Sequence, residues 1–297
     1  MISYYQRVSA NKAKSGLVIG IFIAFITLTA YAICYSLGFD YSAVGIALIV
    51  SGALSFASYY YSDQMILGLS NAKPADKTNY FHFYTVSENV ARSAGIPQPR
   101  LYVIDDSAMN AFATGRDPEH AIVCATTGLL EKLNRTQLEG VVAHEMSHIK
   151  NYDTRLMSII TILVGLIALM SDVLLRTRIR GRSNRDDGGL GAILLLVGFV
   201  LAILSPLIAQ LMQLAISRRR EFLADASAAS ITKYPEGLAS ALEKLSADKE
   251  PLEVANKATG HLFIVNPLNN RHDSIGWFAG LFNTHPPIAE RIKALRS

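Results

Sequence analysis

Apolar and polar positions divide this chain into two kinds of territory. Four stretches contain no Asp, Glu, Lys or Arg: Ser15–Phe39, Tyr41–Ser62, Leu156–Ser171 and Gly188–Ser217. A helix needs about 20 apolar residues to cross a bilayer core, and Gly16–Leu37 and Ala43–Tyr61 both reach that length. The second ends in Tyr59, Tyr60 and Tyr61, amphipathic rings of the kind that settle at the membrane–water boundary. The first also admits a signal-peptide reading, with Lys12 and Lys14 before it and Ala30-Tyr31-Ala32 as a cleavage site. Its apolar length is large for that, and either reading leaves the polar part on the same side. The third run is short, rising about 24 Å as a helix against a core of roughly 30 Å. The fourth is long, but Pro206, Gln210 and Gln213 make its second half less lipid-like. The loop between them carries Arg176, Arg178, Arg180, Arg182 and Arg185 against Asp186 and Asp187. Placed outside, this loop opposes the positive-inside rule; placed inside, it requires a shallow or re-entrant hairpin. Both arrangements stay open.

Elsewhere the periodicity is that of a globular domain. Ser70–Thr78 reads as a linker. A helix is predicted over Tyr84–Ala94, ended by Gly95 and Pro97, and short strands over Arg100–Asp105, Ala111–Thr114 and His120–Ala125. Helices follow at Thr127–Lys132 and Thr136–Lys150, the latter with Thr136 as N-cap and Glu139 completing a capping box. The region after Glu221 reads as helix to about Ala247, then loop, then helix again from Pro287. The expected class is α+β, mostly helical, with a small sheet and membrane helices. Residues 1–62 form two N-terminal transmembrane helices, 63–79 a linker, and 80–297 a domain interrupted by a hydrophobic hairpin at 156–217.

Composition sharpens this division. Of 297 residues, 51% are apolar and 18% charged, below the roughly 25% charged of soluble domains. The charge-free stretches hold 93 residues, so the 52 charged side chains fall on the other 204, at about the ordinary globular density. The net charge of +4 is too small for a nucleic-acid footprint, and no nucleic-acid partner is expected. Arg7, Lys12 and Lys14 favour a cytoplasmic N-terminus. Two cysteines, Cys34 and Cys124, cannot build a disulfide framework or a Cys-rich zinc site.

The chemistry concentrates in His144-Glu145-Met146-Ser147-His148. Four residues apart on a helix, His144 and His148 project from one face and can share one Zn²⁺ per chain. Glu145 stands beside them as a base for an activated water. A catalytic zinc takes a third protein ligand and keeps an open position. The longer HExxHxxGxxH pattern fails, because Asn151 and Thr154 occupy its Gly and His positions. Asp153 would face away unless the helix breaks. No Glu occurs between Glu145 and Glu221. Glu221 directly follows the fourth apolar run, which makes it a natural carboxylate ligand. Asp225, one turn on, would hold a ligand imidazole by its other nitrogen. The competing reading is a solvated helix start with Glu221 paired to Arg218 or Arg220. If the third and fourth runs form a hairpin, both motif helices emerge side by side and the zinc lies near the bilayer surface. His82, His120, His261 and His272 lack ligand spacing.

Two apolar N-terminal segments, an HEMSH helix, a hydrophobic hairpin and then Arg220-Glu-Phe-Leu-Ala-Asp225 together resemble the HtpX family of bacterial membrane zinc metalloproteases, related to the CAAX prenyl proteases. Asn110-Ala-Phe-Ala-Thr-Gly115 and Thr284-His-Pro-Pro-Ile-Ala-Glu-Arg291 fit the same family, so the likeness spans essentially the whole chain. The resemblance implies a gluzincin-like fold with Glu221 as third ligand. It implies an integral-membrane endopeptidase of the bacterial inner membrane, cleaving unfolded or damaged membrane proteins at the cytoplasmic face. It also implies substrate alignment along Asn110, Ala111, Phe112 and Ala113 as an edge strand, against the alternative of an ordinary turn and strand. His285 would stabilise the oxyanion, with Arg291 nearby in contact with substrate; the alternative for His285 is a hydrogen bond at a helix terminus. The extra spans of the CAAX branch are lacking. Two rivals remain: a silent membrane scaffold with structural zinc, and a prenyl-protein endopeptidase.

Overall fold

In this computed structural model the described residues are 4–37, 42–163, 218–254, 259–265, 267 and 286–297. Helices α1 (Tyr4–Leu37) and α2 (Ser42–Leu69) pack side by side. Segments Val8–Leu28 and Val44–Leu69 are long and apolar enough to cross a membrane. Leu17, Leu28, Ile46, Ile49 and Phe56 are exposed along them, an apolar surface that water would penalise and lipid would not. At its polar end α2 grips the rest of the protein. Asp63 pairs with Arg100 at 2.8 Å, the Tyr60 carbonyl accepts from Arg116 at 3.3 Å, and the Arg155 guanidinium sits 4.7 Å from the Tyr59 ring centre.

The segment read as a linker is ordered structure. Helix α2 continues through residues 63–69, and β1 (Lys73–Pro74) pairs antiparallel with β2 (Arg100–Ile104). Helix α3 (Phe81–Ala94) lies between them and closes on Gly95, whose φ of 69° accepts the left-handed cap. Strands β3 (Ala111–Thr114) and β4 (Ile122–Thr126) complete a sheet of order β1-β2-β4-β3, with β2 and β4 parallel and β3 antiparallel at the edge. Alternation sends Leu101, Val103, Ala111, Ala113, Val123 and Ala125 to one face. That face packs on α3, on α5 (Arg135–Lys150) and on α8 (Pro235–Ala247). Ile104, Phe112 and Cys124 point the other way, onto Leu156, Met157, Ile160, Leu252 and Phe263. Covered on both faces, β4 is buried at every position.

This second face explains the short third apolar run. Residues 153–163 form a helix, α6, and Leu156, Met157, Ile159, Ile160, Ile162 and Leu163 are all buried in protein. Ile159 and Leu163 pack with Phe22 of α1. The run's beginning is therefore core, and the rest of the expected hairpin, 164–217, lies outside the described residues. Helix α4 (Thr127–Lys132) precedes α5; α7 (Arg218–Thr232) leads into α8, and α9 (Ile288–Leu295) is last. The single helix predicted from Glu221 to Ala247 is interrupted at Lys233, with φ of 57°, before Pro235.

Candidate metal centre

Helix α5 carries the two imidazoles and is fixed at both ends. Its N-cap is Asn134, whose side chain accepts from the Gln137 N–H while Gln137 accepts from the Asn134 N–H. This box replaces the expected Thr136–Glu139 pair: Thr136 lies inside the helix, its hydroxyl donating to Asn134 Oδ1 at 2.9 Å, and Glu139 pairs with Arg135 at 3.1 Å. Midway, Gly140 lets the Leu238 backbone approach within 2.6 Å of where a Cβ would stand. At the far end the helix stops at Asn151, and Tyr152 takes a left-handed φ of 60° before α6 begins. That break turns Asp153 back onto the site, where its Oδ2 lies 3.1 Å from His148 Nδ1.

Helix α7 crosses α5 and delivers Glu221 and Asp225, both buried. His144 Nε2 and His148 Nε2 are 3.2 Å apart, and the Glu221 oxygens lie 3.6 Å from the first and 3.5 Å from the second. All three ligand atoms fall within 4.8 Å of one another. Tetrahedral bonds of 2.0–2.1 Å put neighbouring ligands about 3.3 Å apart, so the spacing fits one small cation. The donor set is also that of a catalytic zinc, two imidazoles and a carboxylate. Each imidazole has its outer nitrogen on a carboxylate, His144 Nδ1 on Asp225 at 2.9 Å and His148 Nδ1 on Asp153. This fixes the proton on Nδ1 and turns the Nε2 lone pair inward.

Behind Asp225 stands Arg291, fully buried, donating from Nε at 2.8 Å and Nη2 at 2.7 Å. Burial pushes the Asp225 pKa up, but the hydrogen bonds from Arg291 and His144 outweigh it and hold the group down at about 2. Burial and the Arg291 charge push His144 down. Its pairing with Asp225 and Glu221 wins, raising it to about 9. Without a metal the His144 imidazole keeps its second proton at neutral pH, and a cation bound at Nε2 must displace it.

Glu145 shares a small cavity with His144, His148, Glu221, Ala113, Thr154, Met157, Leu262 and Ile264. Its free space of about 10 Å³ is room for roughly one water. Ala113 is the β3 residue that reaches this cavity. The other expected substrate contacts are occupied by the chain itself, which corrects that expectation. The Asn110 side chain donates to the Val265 carbonyl at 2.9 Å, and the Ala111 carbonyl accepts from the Ile264 N–H at 2.9 Å. Phe112 stacks edge-on against Phe263 with ring centres 5.1 Å apart. Arg291 is corrected likewise: with no exposed surface and its guanidinium on Asp225, it supports the site from behind and has no face for substrate. His285 lies outside the described residues.

The sequence reading missed three participants. Asp153 needed the helix break, for which a residue at positive φ in the NYD turn leaves no distinctive mark. Arg220 lies 3.1 Å from Asp153, a partner that the helix break brings within its reach. Asn11 of α1 reaches Asp153 Oδ1 at 2.8 Å from the far end of the sequence. Cys124 is buried in the sheet, where burial pushes its thiol pKa up and keeps it unreactive.

The sequence model of peptidase family M48 matches residues 82–297. A protease HtpX homolog of Dictyoglomus thermophilum is 42% identical over 296 residues, covering 99% of this chain and 94% of its own length. One from Streptococcus uberis is 39% identical, covering 98% and 99% respectively. The crystal structure of Ste24p from S. mikatae superposes with a TM-score of 0.50 at 19% identity. The match covers 97% of this chain and 66%, just under two thirds, of that one, a likeness of fold.

Proposed function

This chain belongs to peptidase family M48, among the HtpX proteases, and from that premise we propose that it is a zinc endopeptidase held in the bacterial inner membrane with its active site on the cytoplasmic side. Family membership makes it a membrane-associated metallopeptidase acting on proteins. The observation that carries the finer reading is the buried triad of His144, His148 and Glu221, with each imidazole braced by a carboxylate.

In this reading His144, His148 and Glu221 hold one Zn²⁺, which when bound lowers the pKa of water and polarises a peptide carbonyl. Glu145 takes the proton of the attacking water and passes it to the leaving amine. Asp225 and Asp153 keep the imidazoles in the tautomer the metal needs, and Arg291 keeps Asp225 ionised. Ala113 offers its backbone at the sheet edge to an extended peptide, a mode that makes little demand on sequence. His285, by resemblance, donates to the developing oxyanion. The proposed substrates are unfolded or damaged membrane proteins. Support comes from the apolar helices α1 and α2, the first of which reaches Asp153 beside the metal centre through Asn11 while the second is tied to the sheet through Asp63.

The test is proteolysis of an unfolded membrane protein by the full chain in detergent, with metal content measured in parallel. The expected result is one zinc per chain, activity abolished by chelation and restored by zinc, and a Glu145→Gln variant that keeps zinc but is slower by about 10²–10⁴. Wild-type activity from Glu145→Gln would overturn the assignment.

A further inference from the structure

Two consecutive residues of the first apolar helix touch the turn that follows the HEMSH helix. Asn11 is buried, 6% exposed. Its Nδ2 donates to the Asn151 carbonyl and to Asp153 Oδ1, each at 2.8 Å. The Lys12 ammonium lies 4.4 Å above the Tyr152 ring centre. Ser15, one turn along α1 and fully buried, donates to the Asn11 carbonyl at 2.9 Å. An amide buried this deeply is costly unless its hydrogens find acceptors, and here both acceptors belong to one three-residue turn. That turn needs outside support, since Tyr152 holds a left-handed φ of 60°, which costs a residue with a Cβ about 1–2 kcal/mol. Asp153 divides its oxygens between two tasks. Oδ2 takes His148 Nδ1, while Oδ1 accepts from Asn11 and forms an ion pair with Arg220. Arg220 balances the charge. Asn11 is neutral and contributes direction, closing the turn and aiming the carboxylate at His148.

We propose that Asn11, with Lys12 bracing the same turn, is a positioning residue of the metal centre: α1 sets the orientation of His148 through Asp153. The proposal rests on His148 being a zinc ligand. It makes the apolar helix more than an anchor, because a displacement of its polar end is transmitted through two hydrogen bonds to a ligand imidazole.

The experiment uses the full chain in detergent, with zinc affinity measured by chelator competition and the ligand field read from the visible spectrum of the Co²⁺-loaded protein. Asn11→Ala is expected to weaken zinc binding about tenfold, the usual effect of removing a group behind a metal ligand, and to shift the Co²⁺ bands. Ser9→Ala, exposed on the same helix, leaves both unchanged. In combination with Asp153→Asn, the Asn11→Ala loss is expected to shrink to less than twofold, because the two act through one contact. Asn11→Leu has nearly the same size, donates no hydrogen bond, and carries the same test if the alanine variant is not recovered. Zinc affinity within twofold of wild type, or losses that multiply fully with those of Asp153→Asn, would overturn the clamp while leaving the metal centre standing. A wild-type chain that binds no zinc would overturn the metal-centre reading, and the clamp with it.

Discussion

Each imidazole of the centre has one nitrogen committed to a carboxylate and one facing Glu221, and this division governs the response to pH. In the metal-free chain His144 is held at about 9, above its usual 6.5, so its contribution is complete below pH 6.5 and is lost as pH rises through 9. Asp225 is held at about 2, below its usual 3.8, so its contribution is present above 3.8 and is lost as pH falls through 2. The metal-free chain should therefore be most stable between about pH 4 and 6.5, and saturating zinc should remove the alkaline decline by replacing the His144 proton. Thermal unfolding followed across pH, with and without zinc, checks both limbs; a metal-free Tm still rising from pH 6.5 to 9 contradicts the first. Glu221→Ala should lose zinc, read by elemental analysis. Arg291→Ala leaves Asp225 charged and buried without its main partner, and should cost about 3–5 kcal/mol in chemical denaturation. At this scale the HEMSH pair, Glu221 and Asp225 were legible from residue type and spacing. Arg291 was legible as important but not in its place, because a sequence cannot say whether an arginine faces substrate or core.

Helices and strands were mostly legible from periodicity and punctuation, and the misreadings have local causes. Asn134 and Thr136 both precede a residue able to complete a capping box, and the structure uses Asn134 with Gln137, which starts the helix at Arg135 and leaves Thr136 within its first turn. Asn134→Ala should cost about 1 kcal/mol. The break after Lys150 carries neither Gly nor Pro; it is held by Asn11 and Lys12, far away in sequence. Gly140→Ala would favour the helix by intrinsic propensity. Its new methyl would meet the Leu238 backbone at 2.6–2.7 Å, so a net loss of about 1–3 kcal/mol is expected from overpacking. Denaturant titration of that variant discriminates the two tendencies by sign. Strand β3 was found by its residues, but its outer side was not: the segment 262–265 already runs along it at Asn110 and Ala111.

For the whole molecule, α2 joins the sheet through Asp63–Arg100 and Tyr60–Arg116, and α1 joins the metal centre through Asn11. The candidate metal centre is thereby linked directly to the polar end of α1. In a Cys34→Ala background, a cysteine at exposed Lys249 should react with a membrane-impermeant thiol reagent in inverted vesicles and not in intact cells. Labelling in intact cells would place the site on the other side. The amino-acid sequence by itself determined the class of chemistry, the pair of imidazoles on one face of α5 and the division into apolar and polar territory. These depend on residue type at short spacing, which helix geometry converts directly into position. Tertiary structure alone decided what stands behind the ligands. Asp153, Arg291 and Asn11 are brought in by a helix break, a C-terminal helix and an N-terminal helix, and their roles follow from through-space distances between segments as much as 142 residues apart. It also decided that residues 156–163 are core, since burial depends on what packs against a helix as much as on its own apolarity.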